Sequence, residues 1–230
     1  MIKAVIFDLD NTLVDFMRMK KASVSAAVDA MLGAGVRLNK EQATKILYEL
    51  YDKYGIEYQQ IFQKFLQKIH RKIDYKILAA GIVAYRKVQV SFLEPYANAI
   101  PTLLKLKQKG YKLAIVSDAP RLRAWLRLVE MRIQDFFDVV VCFDDTNHLK
   151  PSRLPFSKAI KALKIKPHEC LMVGDWPERD IKGAKALGMT AVFARYGSVK
   201  EVKDSGADYE INDISEVVKI ADEVNKKCAK

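Results

Sequence analysis

The first fourteen residues constrain the fold more than any other stretch of the chain. An apolar run rich in β-branched side chains covers residues 2–7 and is interrupted by Lys3, a pattern typical of a strand buried on both faces of a parallel sheet. The run ends in the sequence Asp-Leu-Asp-Asn-Thr at positions 8–12. Because side chains two residues apart on a strand point the same way, we expect Asp8 and Asp10 to lie close together at its carboxyl end.

This acidic pair has two interpretations. Neighbouring carboxylates repel each other unless a cation lies between them or one is protonated, and open α/β sheets bind ligands at the carboxyl edge of their strands. The pair is therefore a candidate binding or catalytic site. The alternative is an ordinary Asp-Asn turn that ends a strand. The stretch alone leaves both open.

The overall composition predicts a globular protein. The chain has 230 residues, of which 50% are hydrophobic and 29% are charged, enough for one large domain or for a core domain with an insert. Apolar runs stay well short of the roughly 20 residues of a membrane span, and the N-terminus does not resemble a signal peptide. We therefore expect a cytoplasmic protein that does not bind membranes.

Charge and cysteine usage argue against a nucleic-acid-binding protein and against a cysteine metal site. The net charge of +11 would favour acidic partners, but the lysines are spread over helical patterns, so we expect no nucleic-acid partner. The three cysteines lack the spacing of metal ligands. Cys142 and Cys170 fall in apolar runs, which indicates buried structural thiols, and Cys228 lies near the C-terminus.

The rest of the chain has two textures. Residues 16–92 carry four successive amphipathic helical patterns with no strand pattern between them, which favours a helical bundle inserted after the first strand. From residue 95 onward, strand and helix patterns alternate, which predicts a parallel sheet with helices on both faces. The predicted strands cover 112–116, 139–143, 170–173, 190–194 and 209–211, and the predicted helices cover 97–109, 121–131, 156–163, 181–187 and 214–224.

Polar side chains stand at or beyond the ends of these predicted strands. Ser117, Lys150 and Asp175 follow three of them, with Asp180 five residues further on. Hard oxygen ligands suit Mg²⁺, a lysine and a hydroxyl can hold phosphoryl oxygens, and a carboxylate can attack phosphorus. Each residue also has an ordinary alternative, such as a helix cap or a surface lysine. Their coincidence at one sheet edge favours a site.

Four motifs resemble those of the haloacid dehalogenase superfamily. They are FDLDNTL at 7–13, VSDAP at 116–120, KPSRLPF at 150–156 and VGDWPERDIKGAKALGMTAVF at 173–193. The helical insert resembles the C1-type cap of the phosphatase branch. The resemblance implies an α/β fold, with a Rossmann-like parallel sheet covered by helices on both faces. Residues 1–15 and 93–230 would form the catalytic core domain, and residues 16–92 a helical cap domain that moves as a lid.

The resemblance also implies roles for single residues. Asp8 would be the nucleophile, and Asp10 the general acid and then the general base. Lys150 would neutralise charge on the transferring group. Thr12 would orient the acidic loop and belong to the substrate-binding set with Ser117 and Asp118. The implied Mg²⁺ ligands are Asp8, Asp10 through its backbone carbonyl, Asp175, and Asp180 directly or through water.

The predicted function is a Mg²⁺-dependent phosphomonoesterase that acts on a small phosphorylated metabolite, such as a sugar or triose phosphate, through an aspartyl-phosphate. A carbon–halogen hydrolase needs the first aspartate but no acid two residues on, so Asp10 favours phosphate chemistry. A phosphomutase of the same family would share all these residues. A non-catalytic member that binds phosphate or protein is the third alternative, and a homodimer is left open.

Overall fold

A computed structural model of the chain describes the backbone of residues 1–228 and the side chains of residues 1–227. Contacts within the chain divide it into two compact units. The first consists of Met1–Phe16 together with the chain from Glu94 onward, and the second is Met17–Leu93. The interpretation of the second unit as a cap domain stays a prediction.

The first unit is built on a six-stranded parallel sheet. Its strands are β1 (Ala4–Phe7), β2 (Lys112–Val116), β3 (Val139–Val141), β4 (Cys170–Gly174), β5 (Thr190–Ala194) and β6 (Tyr209–Ile211). They lie in the order β3-β2-β1-β4-β5-β6, and every neighbouring pair is parallel. This is the doubly wound order, in which the chain reverses direction across the sheet between β1 and β4. The predicted fold class is confirmed.

In the described residues of this unit, five α-helices lie between strands along the chain and a sixth follows β6: α5 (Ala99–Gln108), α6 (Arg121–Glu130), α7 (Phe143–Thr146), α8 (Arg153–Leu163), α9 (Lys182–Lys185) and α10 (Glu216–Cys228). Helix α8 buries Phe156 and Leu163 against the face of the sheet that carries Ala4 and Ile6. Helix α5 packs on β2 and on α10. The sheet positions the carboxyl ends of its strands at one edge.

The second unit contains the four predicted helices, with α1 (Phe16–Gly33) beginning at the last residue of the first unit. The others are α2 (Lys40–Tyr54), α3 (Ile61–His70) and α4 (Tyr75–Phe92). Their apolar stripes, among them Phe65 and Leu47, form one buried cluster. Helix α2 starts after Asn39, whose side chain accepts from the N–H of Gln42 while the Gln42 side chain accepts from the N–H of Asn39.

Several elements differ in their bounds from the sequence-based prediction, among them α8, which begins at Arg153 and not at residue 156. Two further differences have a cause in a side-chain hydrogen bond. Strand β3 was expected to reach residue 143 but ends at Val141, because the Asp145 carboxylate accepts the backbone N–H of Cys142 and starts α7. The helix expected over 181–187 begins earlier, as a π-helical turn over Pro177–Ile181, and continues as α9. In both cases an aspartate side chain accepts a hydrogen bond from a backbone N–H, and the extended segment ends there.

Two expectations from the composition can be compared with the structure: the burial of the cysteines and the shortness of the apolar runs. Cys142 and Cys170 are buried, and burial raises the pKa of each thiol to about 12, which confirms the prediction of buried structural thiols for these two. The side chain of Cys228 lies outside the described residues. No helix in the part of the chain that the structure describes has both the length and the apolar character needed to cross a membrane.

Candidate active site

The predicted site residues lie at the carboxyl edge of the sheet. Asp8 and Asp175 directly follow β1 and β4, the two strands between which the chain reverses. Ser117 directly follows β2. The backbone N–H of Asp8 donates to the carbonyl of Val173 at 2.9 Å, so the β1–β4 ladder continues to the first acidic residue. The fold therefore places these side chains at the switch point, where open α/β sheets bind ligands.

Three buried carboxylates meet at this point. Oxygen atoms of Asp8, Asp175 and Asp180 all lie within 4.8 Å of one another. The hydroxyl of Thr12 donates to Oδ1 of Asp175 at 3.3 Å. Such a set of hard oxygen donors is the kind that Mg²⁺ prefers, so these three residues could hold a metal ion.

Asp180 reaches the cluster because of the π-helical turn and a glycine. Its Oδ2 accepts the backbone N–H of Trp176 at 3.0 Å, and its own N–H donates to the Trp176 carbonyl at 2.8 Å. A Cβ atom on Gly174 would lie 2.4 Å from the Asp180 carboxylate. Any larger residue at position 174 would push Asp180 away from the strand end.

Lys150 bridges two of the three carboxylates. Its Nζ lies 2.5 Å from Oδ1 of Asp8 and 2.7 Å from Oδ1 of Asp180, and it also donates to the carbonyl of Val116 at 3.0 Å. Burial by itself lowers the pKa of Lys150, but Asp180 and Asp8 raise the pKa by more, so that it lies above its ordinary value. Lys150 is therefore a charged side chain inside the site and not the surface lysine of the alternative interpretation.

Asp8 and Asp175 have strongly raised pKa values. Burial raises the pKa of Asp8 well above its ordinary value, Lys150 offsets part of the rise, and Asp180 and Asp175 add to it. Burial and the neighbouring Asp180 raise the pKa of Asp175 to about 7. One ammonium group does not neutralise this cluster, so a further cation between the carboxylates would be bound favourably.

Ser117 and Asp118 shape the loop that leads to Lys150. The Ser117 hydroxyl accepts the N–H of Ala119 at 3.1 Å, whereas α6 begins after Pro120, so Ser117 does not cap that helix. Oδ1 of Asp118 accepts the backbone N–H of Lys150 at 2.8 Å, and its Oδ2 accepts from Arg179 Nη1 at 3.0 Å. Asp118 thus positions the lysine, and its part in substrate binding stays a prediction.

The sequence analysis missed an arginine beside Asp10. Nη1 of Arg127, on α6, lies 3.1 Å from Oδ2 of Asp10. A signal was present in the sequence, because Arg127 shares the buried face of α6 with Ala124 and Leu128. An arginine at an apolar position of an amphipathic helix needs a buried partner.

A second missed feature holds the turn at residues 11–13. The Tyr196 hydroxyl donates to the Thr12 carbonyl at 2.7 Å, and the Tyr196 ring packs edge-on against Tyr96. The backbone N–H of Tyr96 donates to the Leu13 carbonyl at 2.9 Å. The turn at residues 11–13, which follows Asp10, is therefore fixed by two segments that are distant from it in sequence.

Comparison with known proteins identifies the family. A model of the haloacid dehalogenase-like hydrolases matches residues 2–188. The chain belongs to this family of hydrolases, as its four motifs predict. The predicted family and hydrolase class are thereby confirmed.

Relatives of similar length carry a common name. The glyceraldehyde 3-phosphate phosphatase of Methanocaldococcus jannaschii is 34% identical, over 98% of this chain and 100% of its own length. The protein of the same name from Pyrococcus furiosus is 33% identical, over 97% of this chain and 95% of its own. The phosphatase function predicted from the sequence agrees with these relatives.

Solved structures show the same fold with different chemistries. A haloacid dehalogenase-type phosphatase from Thermococcus onnurineus superposes with a TM-score of 0.69 at 30% identity, covering 95% of this chain and 97% of that one. A 2-haloacid dehalogenase from Pseudomonas syringae reaches the same TM-score at 22% identity, covering 97% and 99%. The second likeness shows the fold alone, so the substrate has to be argued from the site.

Proposed function

We propose that the protein is a Mg²⁺-dependent phosphatase that hydrolyses a small phosphate monoester through an aspartyl-phosphate on Asp8. The observation that carries this proposal is the buried Asp8 carboxylate, which Lys150 contacts at the switch point of the sheet beside Asp175 and Asp180. A carboxylate held by one cation and flanked by a candidate metal site is suited to attack an anionic phosphoryl group.

The proposed substrate class is a triose phosphate. Full-length relatives that are 33–34% identical are named glyceraldehyde 3-phosphate phosphatases, and we take glyceraldehyde 3-phosphate as the first candidate. The fold by itself does not select among phosphorylated metabolites. The lid role of the helical unit, a cytoplasmic location and a homodimer remain predictions from the sequence.

The residues of the site fit a magnesium ion. The three carboxylates with mutually close oxygens are Asp8, Asp175 and Asp180, and the backbone carbonyl of Asp10 would add a fourth oxygen. Bound Mg²⁺ would neutralise charge on the phosphoryl oxygens. Thr12 supports this set by donating to Asp175.

The proposed reaction has two halves. Asp8 attacks phosphorus, the ester P–O bond breaks, and Asp10 gives a proton to the leaving oxygen. In the second half the Asp10 carboxylate takes a proton from water as that water attacks phosphorus, and the Asp8–phosphorus bond breaks to release phosphate. Lys150 stabilises the charge that builds up on the transferring group, and the Ser117 hydroxyl binds a phosphoryl oxygen.

The test is phosphate release from p-nitrophenyl phosphate and from a panel of sugar and triose phosphates that includes glyceraldehyde 3-phosphate. Each assay is run with Mg²⁺, with a chelator, and with the Asp8→Asn variant. Asp29→Asn serves as the control, because Asp29 is an exposed carboxylate in the second unit.

Metal-dependent release that Asp8→Asn abolishes and Asp29→Asn retains supports the proposal. Formation of an isomeric phosphate without free phosphate would replace it with the phosphomutase alternative. The absence of any turnover on the panel would leave the non-catalytic alternative.

A further inference from the structure

We infer that Arg127 positions Asp10 for proton transfer to the leaving group, an inference that rests on the proposed phosphatase function. None of the four motifs includes Arg127, which lies in the last turn of α6, ten residues beyond Ser117. It would be a positioning residue, since it acts through Asp10 and not on the reacting atoms.

The Arg127 side chain is buried and held on two sides. Arg127 is 3% exposed, and its Nη1 lies 3.1 Å from Oδ2 of Asp10. Its guanidinium carbon lies 4.5 Å from the centre of the Phe16 ring, over the ring face. A guanidinium that is hydrogen-bonded at one end and stacked on an aromatic ring has little freedom to turn.

Arg127 is not the cation that pairs with Asp8. Lys150 contacts Asp8 and Asp180, whereas Arg127 contacts Asp10. Burying a guanidinium costs free energy unless it is well paired. The two buried cations therefore serve different carboxylates, one at the nucleophile and one at the proposed acid.

Fixing one oxygen of Asp10 restricts rotation of the whole carboxyl group. A general acid must lie within hydrogen-bond reach of the leaving oxygen when the P–O bond breaks. A carboxyl that turned freely would spend part of its time out of reach. The Arg127–Asp10 hydrogen bond therefore limits Asp10 to the orientations from which it can pass its proton.

This role makes a specific prediction about leaving groups. The p-nitrophenolate anion is a stable leaving group and departs without taking a proton, whereas the alkoxide released from an alkyl phosphate needs one. In the first half of the reaction, loss of a correctly placed general acid therefore lowers the rate of leaving-group release from the alkyl ester and changes that from the aryl ester much less. The second half, in which Asp10 acts on water, is the same for both esters, so the first half is measured separately in a single turnover. A purely structural defect would lower both rates together.

The experiment compares Arg127→Met, Arg127→Lys and Asp10→Asn on p-nitrophenyl phosphate and on glyceraldehyde 3-phosphate, or on the alkyl phosphate that the wild type turns over fastest. We expect Arg127→Met to lower the single-turnover rate of alcohol release from the alkyl phosphate about 10- to 100-fold, part of the typical general-acid contribution. For single-turnover release of p-nitrophenolate we expect a loss of less than about threefold, in the same direction as for Asp10→Asn. Arg127→Lys, which keeps one donor, should recover part of the alkyl activity.

Arg121→Met is the matched control, because Arg121 lies on the same helix but is exposed and pairs with Asp145. It should change neither rate. An equal loss of the two single-turnover rates, or a rise in KM with kcat unchanged, would overturn the positioning role and assign Arg127 to folding or to substrate binding. Failure of the proposed function would be distinguishable, because the wild type itself would then release no phosphate from either ester.

Discussion

Lys150 and Asp8 illustrate, at the scale of single residues, how burial and charge oppose each other in this site. Burial disfavours the charged form of both groups, yet the pKa of Lys150 is raised by the carboxylates beside it. The pKa of Asp8 is raised mainly by burial, and Lys150, which is shared with Asp180, offsets only part of that rise. The neighbouring carboxylates thus favour the charged form of Lys150 but oppose that of Asp8.

Replacing Lys150 tests this dependence. Lys150→Met leaves the Asp8 and Asp180 carboxylates buried without their ammonium, a change that typically costs about 3–5 kcal/mol of stability. We expect a lower unfolding temperature and loss of phosphate release, because protonated Asp8 is a poor nucleophile. Added Mg²⁺ should restore part of the unfolding temperature but not the activity, as measured by calorimetry and by the phosphate assay.

The exposed pair of Lys68 and Glu49 provides the control for that prediction. Lys68→Met should change stability far less than Lys150→Met does, as expected for a surface ion pair. Equal stabilities of Lys150→Met and Lys68→Met would show that the buried ammonium is not required to hold the site together.

The residues that could be predicted from sequence are those with a local signal. Asp8 and Asp175 follow apolar strand patterns, and an acidic residue in that position is visible within a few positions of the chain. The partners that complete the site are distant: Arg127 is separated from Asp10 by 117 positions and Tyr196 from Thr12 by 184. Without the sheet order, nothing in the local pattern brings these pairs together.

At the scale of elements, the short helical turn Arg195–Gly197 after β5 supports the turn at residues 11–13, which directly follows Asp10. Gly197 lies so close to that turn that a Cβ atom would come within 1.7 Å of the Asn11 carbonyl oxygen and 3.1 Å of the Asp175 Cβ. Since the Asn11 oxygen belongs to backbone, it cannot move without shifting the turn that follows Asp10.

We therefore expect Gly197→Ala to displace the turn at residues 11–13 and with it Asp10. The predicted result is a loss of at least about tenfold in kcat, together with a destabilisation of about 1–3 kcal/mol from overpacking. Gly33→Ala is the control, because a Cβ at Gly33 would meet no atom within 4 Å. Steady-state kinetics and thermal unfolding of the two variants check this, and unchanged kinetics in Gly197→Ala would contradict it.

Element boundaries were predictable where pattern and capping agree. Strands β2 and β5 have the predicted bounds, as largely apolar runs between polar loops, and so does the short strand β6. Strand β3 was extended too far because Cys142 and Phe143 continue the apolar run, and the deciding hydrogen bond comes from the Asp145 side chain. The π-helical turn at Pro177–Ile181 was missed for the same reason, since Asp180 closes it through a side-chain hydrogen bond.

At the scale of the whole molecule, the sequence predicts a parallel sheet but does not reveal the order of its strands. That order places β1 between β2 and β4, and so collects groups from three separate motifs around Asp8. The same strand order brings several carboxylates together in a buried position. Folding thus carries an electrostatic cost that depends on pH and on cations.

The pH dependence of this cost can be measured through Asp175. Its pKa in the folded chain is about 7, above the ordinary value of 3.8. A carboxyl group with a raised pKa favours the folded state while protonated, so its contribution to stability is complete below about pH 4 and is lost as the pH rises to about 7. Without metal, the unfolding temperature of the wild type should fall over this range relative to Asp175→Asn, which does not titrate.

Magnesium should act in the opposite sense over the same range, because it binds ionised carboxylates and competes with protons. At a concentration of about 100 times its dissociation constant, a ligand of the folded state adds about 2.7 kcal/mol, which for a chain of this size raises the unfolding temperature by about 5–10 °C. We expect that rise at pH 8, little of it at pH 5, and a much smaller rise in Asp175→Asn at either pH. A rise of equal size at both pH values would mean that Mg²⁺ binds the protein elsewhere than at these buried carboxylates.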